Sequence, residues 1–145
     1  MGYHIILHCT AIIKPEYIDC IKMEYFYDST YRDSWYDDDY DKNIPEKFKE
    51  FYQIWRDLSI YSDGSSGFYQ FKLEGDRFTF ELCKRPYFYQ CGNNWITLER
   101  DYKRLMRDII APISSEILRC EIEHDDFGWG SRTYTDTEVR NFRPD

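Results

Sequence analysis

A histidine and a glutamate held within hydrogen-bond reach can pass a proton or ligate a metal, and this chain carries the parts for such a pair. The segment YHIILHCTAII (3–13) alternates as only a strand does. Tyr3, Ile5, Leu7, Cys9, Ala11 and Ile13 fall on one face, and His4, Ile6, His8, Thr10 and Ile12 on the other. Ile117–His124 reads as a second strand, which presents Glu121 and Glu123. If the two strands are neighbours, His8 comes within side-chain reach of a glutamate. His4, His8, Glu121 and Glu123 therefore form a candidate ligand site, with Thr79 and Glu81 further along the same face. The alternative is a polar sheet face half covered by another element or a second subunit. Ile6 and Ile12 argue for a cover, because an open sheet gains nothing from them.

Other chemistry-bearing patterns are thinner. In His124-Asp125-Asp126, successive strand residues point to opposite faces, so only His124 and Asp126 could converge. No HExxH, paired CxxC or calcium-loop pattern supplies further ligands, and a strand ending in turn-forming Asp and Gly explains the same letters. There is no GxSxG, and GSSG (64–67) lacks the lysine and the strand-to-helix setting of a phosphate loop. The residues thus indicate no catalytic set, no metal and no cofactor. Five cysteines (Cys9, Cys20, Cys83, Cys91, Cys120), an odd number without CxxC spacing and with no signal peptide ahead of them, read as those of a reduced intracellular protein, cytoplasmic or nuclear in type. Cys9 and Cys120 take core-facing strand positions and read as small, inert hydrophobes.

These residues must be positioned by the elements around them. Pro15 opens a helix expected to run to about Phe26, with Ile18, Ile21 and Tyr25 as its stripe. Residues 27–43 interleave acids with aromatics and have no period, so an exposed loop is expected there. Pro45 opens a second helix with the stripe Phe48, Phe51, Tyr52, Trp55 and Leu58. Phe68–Leu73 and Arg77–Cys83 flank Glu74-Gly75-Asp76 as a hairpin, with Phe78, Phe80 and Leu82 facing in. A third helix over about Thr97 to Ala111 carries Trp95, Leu98, Tyr102, Leu105, Met106 and Ile109, and Pro112 should stop it. In the tail, Thr135-Asp136-Thr137-Glu138 matches a capping box and predicts a short helix.

With the second helix and its loop set aside, the order matches an α+β, ferredoxin-like split β-α-β fold, an antiparallel sheet with helices on one face. The 145 residues then form a single domain, 1–145, with an acidic insertion over about 27–61.

Hydrophobic residues make up 42% of the chain and aromatic residues 19%, which excludes global disorder and points to a contact-rich surface or a wet core edge. A net charge of −8 argues against nucleic acid and against an anionic membrane as partners. Single-stranded RNA binding is disfavoured again by the face, since His4 and His8 stand where stacking aromatics are needed. No apolar run approaches the ~20 residues of a membrane span. Trp35, Tyr36, Tyr40 and Trp55 have the character of interface anchors, or of a lid folded over the sheet.

The final third, ISSEILRCEIEHDDFGWGSRTYTDTEVR (113–140), resembles the ends of uncharacterised proteins encoded by giant DNA viruses. The resemblance rests on ISSEI, on IEHDD with its glycine, and on YTD followed by Glu and Arg. It implies a viral protein with no catalytic residues to carry over.

The expectation is a non-enzymatic interaction module, homodimeric or bound to a protein partner through its acidic Tyr/Trp-rich surface. The alternatives are a small enzyme or ligand-binding protein using His8 with Glu121 or Glu123, and an acidic decoy of a nucleic-acid-binding protein.

Overall fold

The computed structural model describes residues 4–21, 67–84, 94–125 and 130–143. The acidic loop, the helix after Pro45, and with them Trp35, Tyr36, Tyr40 and Trp55, lie outside the described residues, as do Asp126 and the side chain of Trp95.

Strand β1, Ile5–Ile13, has the alternation of its sequence. Ile5, Leu7, Cys9, Ala11 and Ile13 are buried to 1% exposure or less, while Ile6, Thr10 and Ile12 on the other face are half-buried. Among the described residues four more strands join it: β2 Gly67–Glu74, β3 Arg77–Lys84, β4 Ser114–His124 and β5 Ser131–Thr133. The sheet order is β2-β3-β1-β4-β5, and every neighbouring pair is antiparallel. This is an α+β architecture with β1 at the centre. β5 was not expected from the sequence; with three exposed residues it carries no hydrophobic alternation to read.

The β2–β3 hairpin closes through Gly75-Asp76, with Glu74 opposite Arg77. Gly75 takes a φ of 62°, a left-handed setting that a residue without Cβ adopts at no steric cost. The Ile13 amide donates to the Asp76 carbonyl at 2.8 Å, which ties this turn to the end of β1. Within β2, Gln70 and Phe71 together oppose only Phe80 between two paired positions, so the strand is bulged there. Gln70 absorbs the distortion at φ 54°, and Phe71 packs edge-on against Phe78 with ring centroids 5.0 Å apart.

The core lies between the inward face of the sheet and a long helical segment. That segment is α1, Asn94–Leu105, followed by a π-helical turn over Met106–Ile110 and a short helix α2, Ala111–Ile113. Leu98, Tyr102, Leu105, Met106 and Ile109 are buried against β1, β3 and β4, as their spacing predicted. Tyr102 reaches deepest: its hydroxyl lies 2.6 Å from the Ile5 carbonyl, to which it donates, and 3.2 Å from that of Leu82. Pro112 does not stop the helix as expected. It sits inside α2, and its missing N–H and bulky ring are accommodated by the widened turn before it, where the Ala111 amide donates to Met106 five residues back.

Two further expectations are corrected. Over its described part the segment after Pro15 is a 3-10 helix, Pro15–Cys20, rather than an α-helix, and the rest of the expected helix, with Tyr25, lies outside the described residues. Tyr17 donates to the Lys14 carbonyl and Ile21 to that of Ile18, and the three-residue step stacks Ile18 and Ile21 on one side as readily as an α-helix would. Strand β4 begins at Ser114, not Ile117, because its first half is bulged twice against β1. Each bulge inserts a residue, so the buried positions Ser114, Ile117 and Cys120 recur every third residue before Ile122 restores alternation.

Backbone groups of the bulged half of β4 and of the helix end before it are bonded by the last helix, α3, Asp136–Arg140. Asp136 accepts from the Ile117 amide at 2.7 Å, and Arg140 donates to the carbonyls of Ala111 and Ser114. The Arg140 Nε bonds to the other Asp136 oxygen at 2.8 Å. The expected capping box at Thr135 and Glu138 is formed in both directions and sets the start of this helix. Val139 and Phe142 are buried beside it.

The Arg140 guanidinium, followed in effect by the Ile117 amide, holds the Asp136 carboxyl below its ordinary range against an opposing effect of burial. A depressed carboxyl stabilises the fold above its unfolded pKa, and the contribution is lost as pH falls through the folded value. Asp136→Asn should therefore unfold at lower denaturant than the parent at pH 7. The two midpoints should converge as pH drops below the carboxylate range, read by urea titration across a pH series.

Candidate functional site

The sheet face opposite α1 is built from the even-numbered residues of β1 and their register partners. His8 stands level with Glu81 of β3 and with Glu121 of β4. Its side chain is enclosed, 11% exposed, although it lies on the face away from the core. Nδ1 lies 3.1 Å from Glu81 Oε1 and Nε2 lies 2.7 Å from Glu123 Oε1. One imidazole thus bridges three adjacent strands. Two acceptor oxygens face two ring nitrogens, so both bonds form only when the ring carries both protons or a carboxyl supplies one.

The expected partners of His8 were Glu121 or Glu123, and the structure divides them. Glu123, two residues off the register and level with Ile6, makes the short contact. Glu121, directly opposite, is turned to Arg119 instead. The Arg119 guanidinium, then the Ser131 hydroxyl, hold the Glu121 carboxyl below its ordinary range, burial opposes them, and His8 adds a smaller effect. Glu81, placed further along the face by the sequence reading, is the second partner. Strand pairing of β1 with β3 is the signal that finds it, since residues 8 and 81 become neighbours as soon as the hairpin is docked on β1.

His4 does not join this group. Its Nδ1 lies 3.2 Å from Asp125 Oδ2, and its amide donates to Asp125 Oδ1 at 2.7 Å. His124 points to the other side of the sheet, where Nε2 meets Glu99 Oε1 of α1 at 2.6 Å. All three histidines of the chain therefore stand against carboxylates at three separate places. The Glu99 contact went unforeseen, although His124 is in phase with the buried Cys120 and Ile122, and Glu99 adjoins Leu98 on the helix stripe. His124 and Asp125 are thus committed to different partners on opposite faces. Among the described residues, no three His, Cys, Asp or Glu side chains converge in a way that could hold a metal ion.

A separate open cleft of about 590 Å³ lies at the hairpin end of the sheet, lined by Gln70, Phe71, Lys72, Glu74, Arg77 and Thr79. Lys72 and Glu74 form an ion pair at its rim, both widely exposed, which makes it a weak contact. His8 is not part of its wall.

No protein-family model, curated protein or solved structure matches this chain. No helix among the described residues is long and apolar enough to cross a membrane.

The bridging role of His8 has a direct consequence for stability. Removing the ring leaves Glu81 and Glu123 without their partner, and the loss of charge-assisted bonds at a part-buried site costs about 1–3 kcal/mol. His8→Ala should lower the unfolding free energy by that order in urea at neutral pH, and Glu123→Gln by less, since Glu123 is 40% exposed. Equal stability of His8→Ala and the parent would show that the bridge contributes nothing.

Proposed function

We propose that the chain is a non-enzymatic interaction module, which associates with a second copy of itself or with a protein partner through its acidic, aromatic-rich surface and the sheet face opposite α1. The observation that carries this reading is the engagement of both His8 nitrogens by carboxylates. A general base or a ligating histidine needs one nitrogen turned to its substrate or metal. A ring bonded at both nitrogens acts as a cross-strand clasp. The half-burial of Ile6 and Ile12 on the same face fits a surface that works under a cover.

Trp35, Tyr36, Tyr40 and Trp55 are the proposed anchors, on the strength of their residue types and of the acids among them. The runner-up, a ligand site at His4, His8, Glu121 and Glu123, would require His8 to exchange one of its glutamates for the ligand. An acidic decoy would show a steep loss of partner binding with salt. We further infer a ferredoxin-like split β-α-β fold. Its support is the order β2-β3-β1-β4, antiparallel throughout, with α1 connecting β3 to β4 on the core side. A viral source and a cytoplasmic location are proposed on the likeness of residues 113–140 and on the cysteine pattern.

Light scattering of the purified chain over a range of concentrations tests the self-associating form of this reading. A dimer that dissociates in Trp35→Ala, with the melting temperature unchanged, is the expected outcome. A Trp35→Ala protein of unaltered mass and lowered melting temperature would make the loop a lid over the sheet. A histidine site that takes up stoichiometric metal or ligand, and loses it in His8→Ala, would replace the module reading with the runner-up.

A further inference from the structure

Cys9 of β1 lies directly opposite Cys120 of β4. The neighbouring hydrogen bonds decide what kind of position this is. The Asp125 amide donates to the His4 carbonyl at 3.1 Å, so residues 4 and 125 are a hydrogen-bonded pair. The register runs without a shift from Ile5–His124 to Thr10–Arg119, and the two kinds of antiparallel pair alternate along it. Cys9 and Cys120 therefore form a non-hydrogen-bonded pair. In agreement, the Cys120 carbonyl is directed to the other side and accepts from the Tyr134 amide at 2.8 Å. At such a position the Cα atoms are about 4.5 Å apart and the side chains come closest. A disulfide spans Cα separations of roughly 4.4–6.8 Å, so the backbone as it stands accommodates one.

Both residues are thiols, on the inward face, 1% and 0% exposed. Burial pushes the Cys9 thiol well up, and Cys120 beside it adds to the effect; the Cys120 thiol is pushed up to about 12, by burial first. Cys83 cannot intercept the pair, because it stands level with Ile6 on the opposite face of the sheet.

We propose that Cys9 and Cys120 are a dithiol that a small peroxide converts into an intramolecular disulfide, a covalent staple between the central strand and β4. One sulfur, as thiolate, attacks the O–O bond of hydrogen peroxide and becomes a sulfenic acid, releasing the first water once the departing hydroxide is protonated. The second sulfur attacks the sulfenic sulfur, the S–S bond forms and the second water leaves. Each sulfur gives up one electron, the peroxide takes both, and the two thiol protons end in the two waters. Enclosure of both thiols makes the reaction wait on openings of the sheet, so it is slower than oxidation of a surface thiol and is reversed by a dithiol reductant under unfolding conditions.

The test is to incubate the reduced full-length chain with hydrogen peroxide in native buffer, alkylate the remaining thiols in denaturant, and map the cross-linked peptides by mass spectrometry. The expected product is a peptide pair joining Cys9 to Cys120, two hydrogens lighter than the reduced pair. The oxidised protein should melt about 5–10 °C higher, since the bond closes a long loop in the unfolded chain. That rise should be absent in Cys9→Ala and Cys120→Ala. The peptide map of the parent decides the matter even where those variants fold poorly. Recovery of both cysteines in alkylated form, linkage of Cys9 to a different cysteine, or a stapled protein that melts no higher would each overturn the proposal.

Discussion

Everything in the described structure hangs on β1 being hydrogen-bonded along both edges while its two faces meet different chemistry. Its backbone amides and carbonyls are divided between β3 and β4, so the strand cannot shift without breaking two ladders at once. One face supplies a row of fully buried aliphatic and thiol groups to the core under α1. The other presents His8 to glutamates on either side. A one-residue slip would exchange these faces, placing an imidazole in the core and Leu7 among carboxylates. The register is therefore held by hydrophobic burial on one side and by the His8 bridge on the other.

The parts of the fold that were legible in the sequence are those where the period stays regular. Alternation in residues 5–13 and 78–82 and the three-four spacing from Leu98 to Ile109 each mark one buried face, and those faces meet in the structure. The illegible parts are places where the backbone departs from its period for a reason carried elsewhere in the chain. The start of β4 conceals itself because two bulges turn alternation into a repeat of three. The bulged half of β4 is held from a distance, since Asp136 and Arg140, some twenty residues on, bond the Ile117 amide and the Ser114 carbonyl. The π-helical turn before Pro112 is similar: the proline is visible in the sequence, but whether the helix ends or widens depends on what receives its last carbonyls. Here Ser114 bonds Ile110, Arg140 bonds Ala111 and Lys14 bonds Ile113.

The candidate site was legible to the level of one residue and one partner. Placing His8 near the glutamates of β4 required only that β1 and β4 be neighbours. Choosing Glu123 over Glu121 required knowing that Arg119, two residues along the same face of β4, competes for Glu121. Finding Glu81 required the docking of the hairpin on the other edge of β1. Charge competition and long-range pairing are both properties of the assembled sheet, and neither leaves a local signature.

The sheet's margins constrain how this protein can meet others. A straight, fully extended outer strand offers its unpaired amides and carbonyls as a template on which another chain can add as a new strand, the route to runaway fibres. Here the β2 margin is broken by the left-handed Gln70, which rotates the groups on either side of it out of line. The opposite margin, β5, is three residues long. Among the described residues, strand addition at either border would find too short a run of aligned groups to propagate, so growth of a fibre from these margins is checked by the backbone itself.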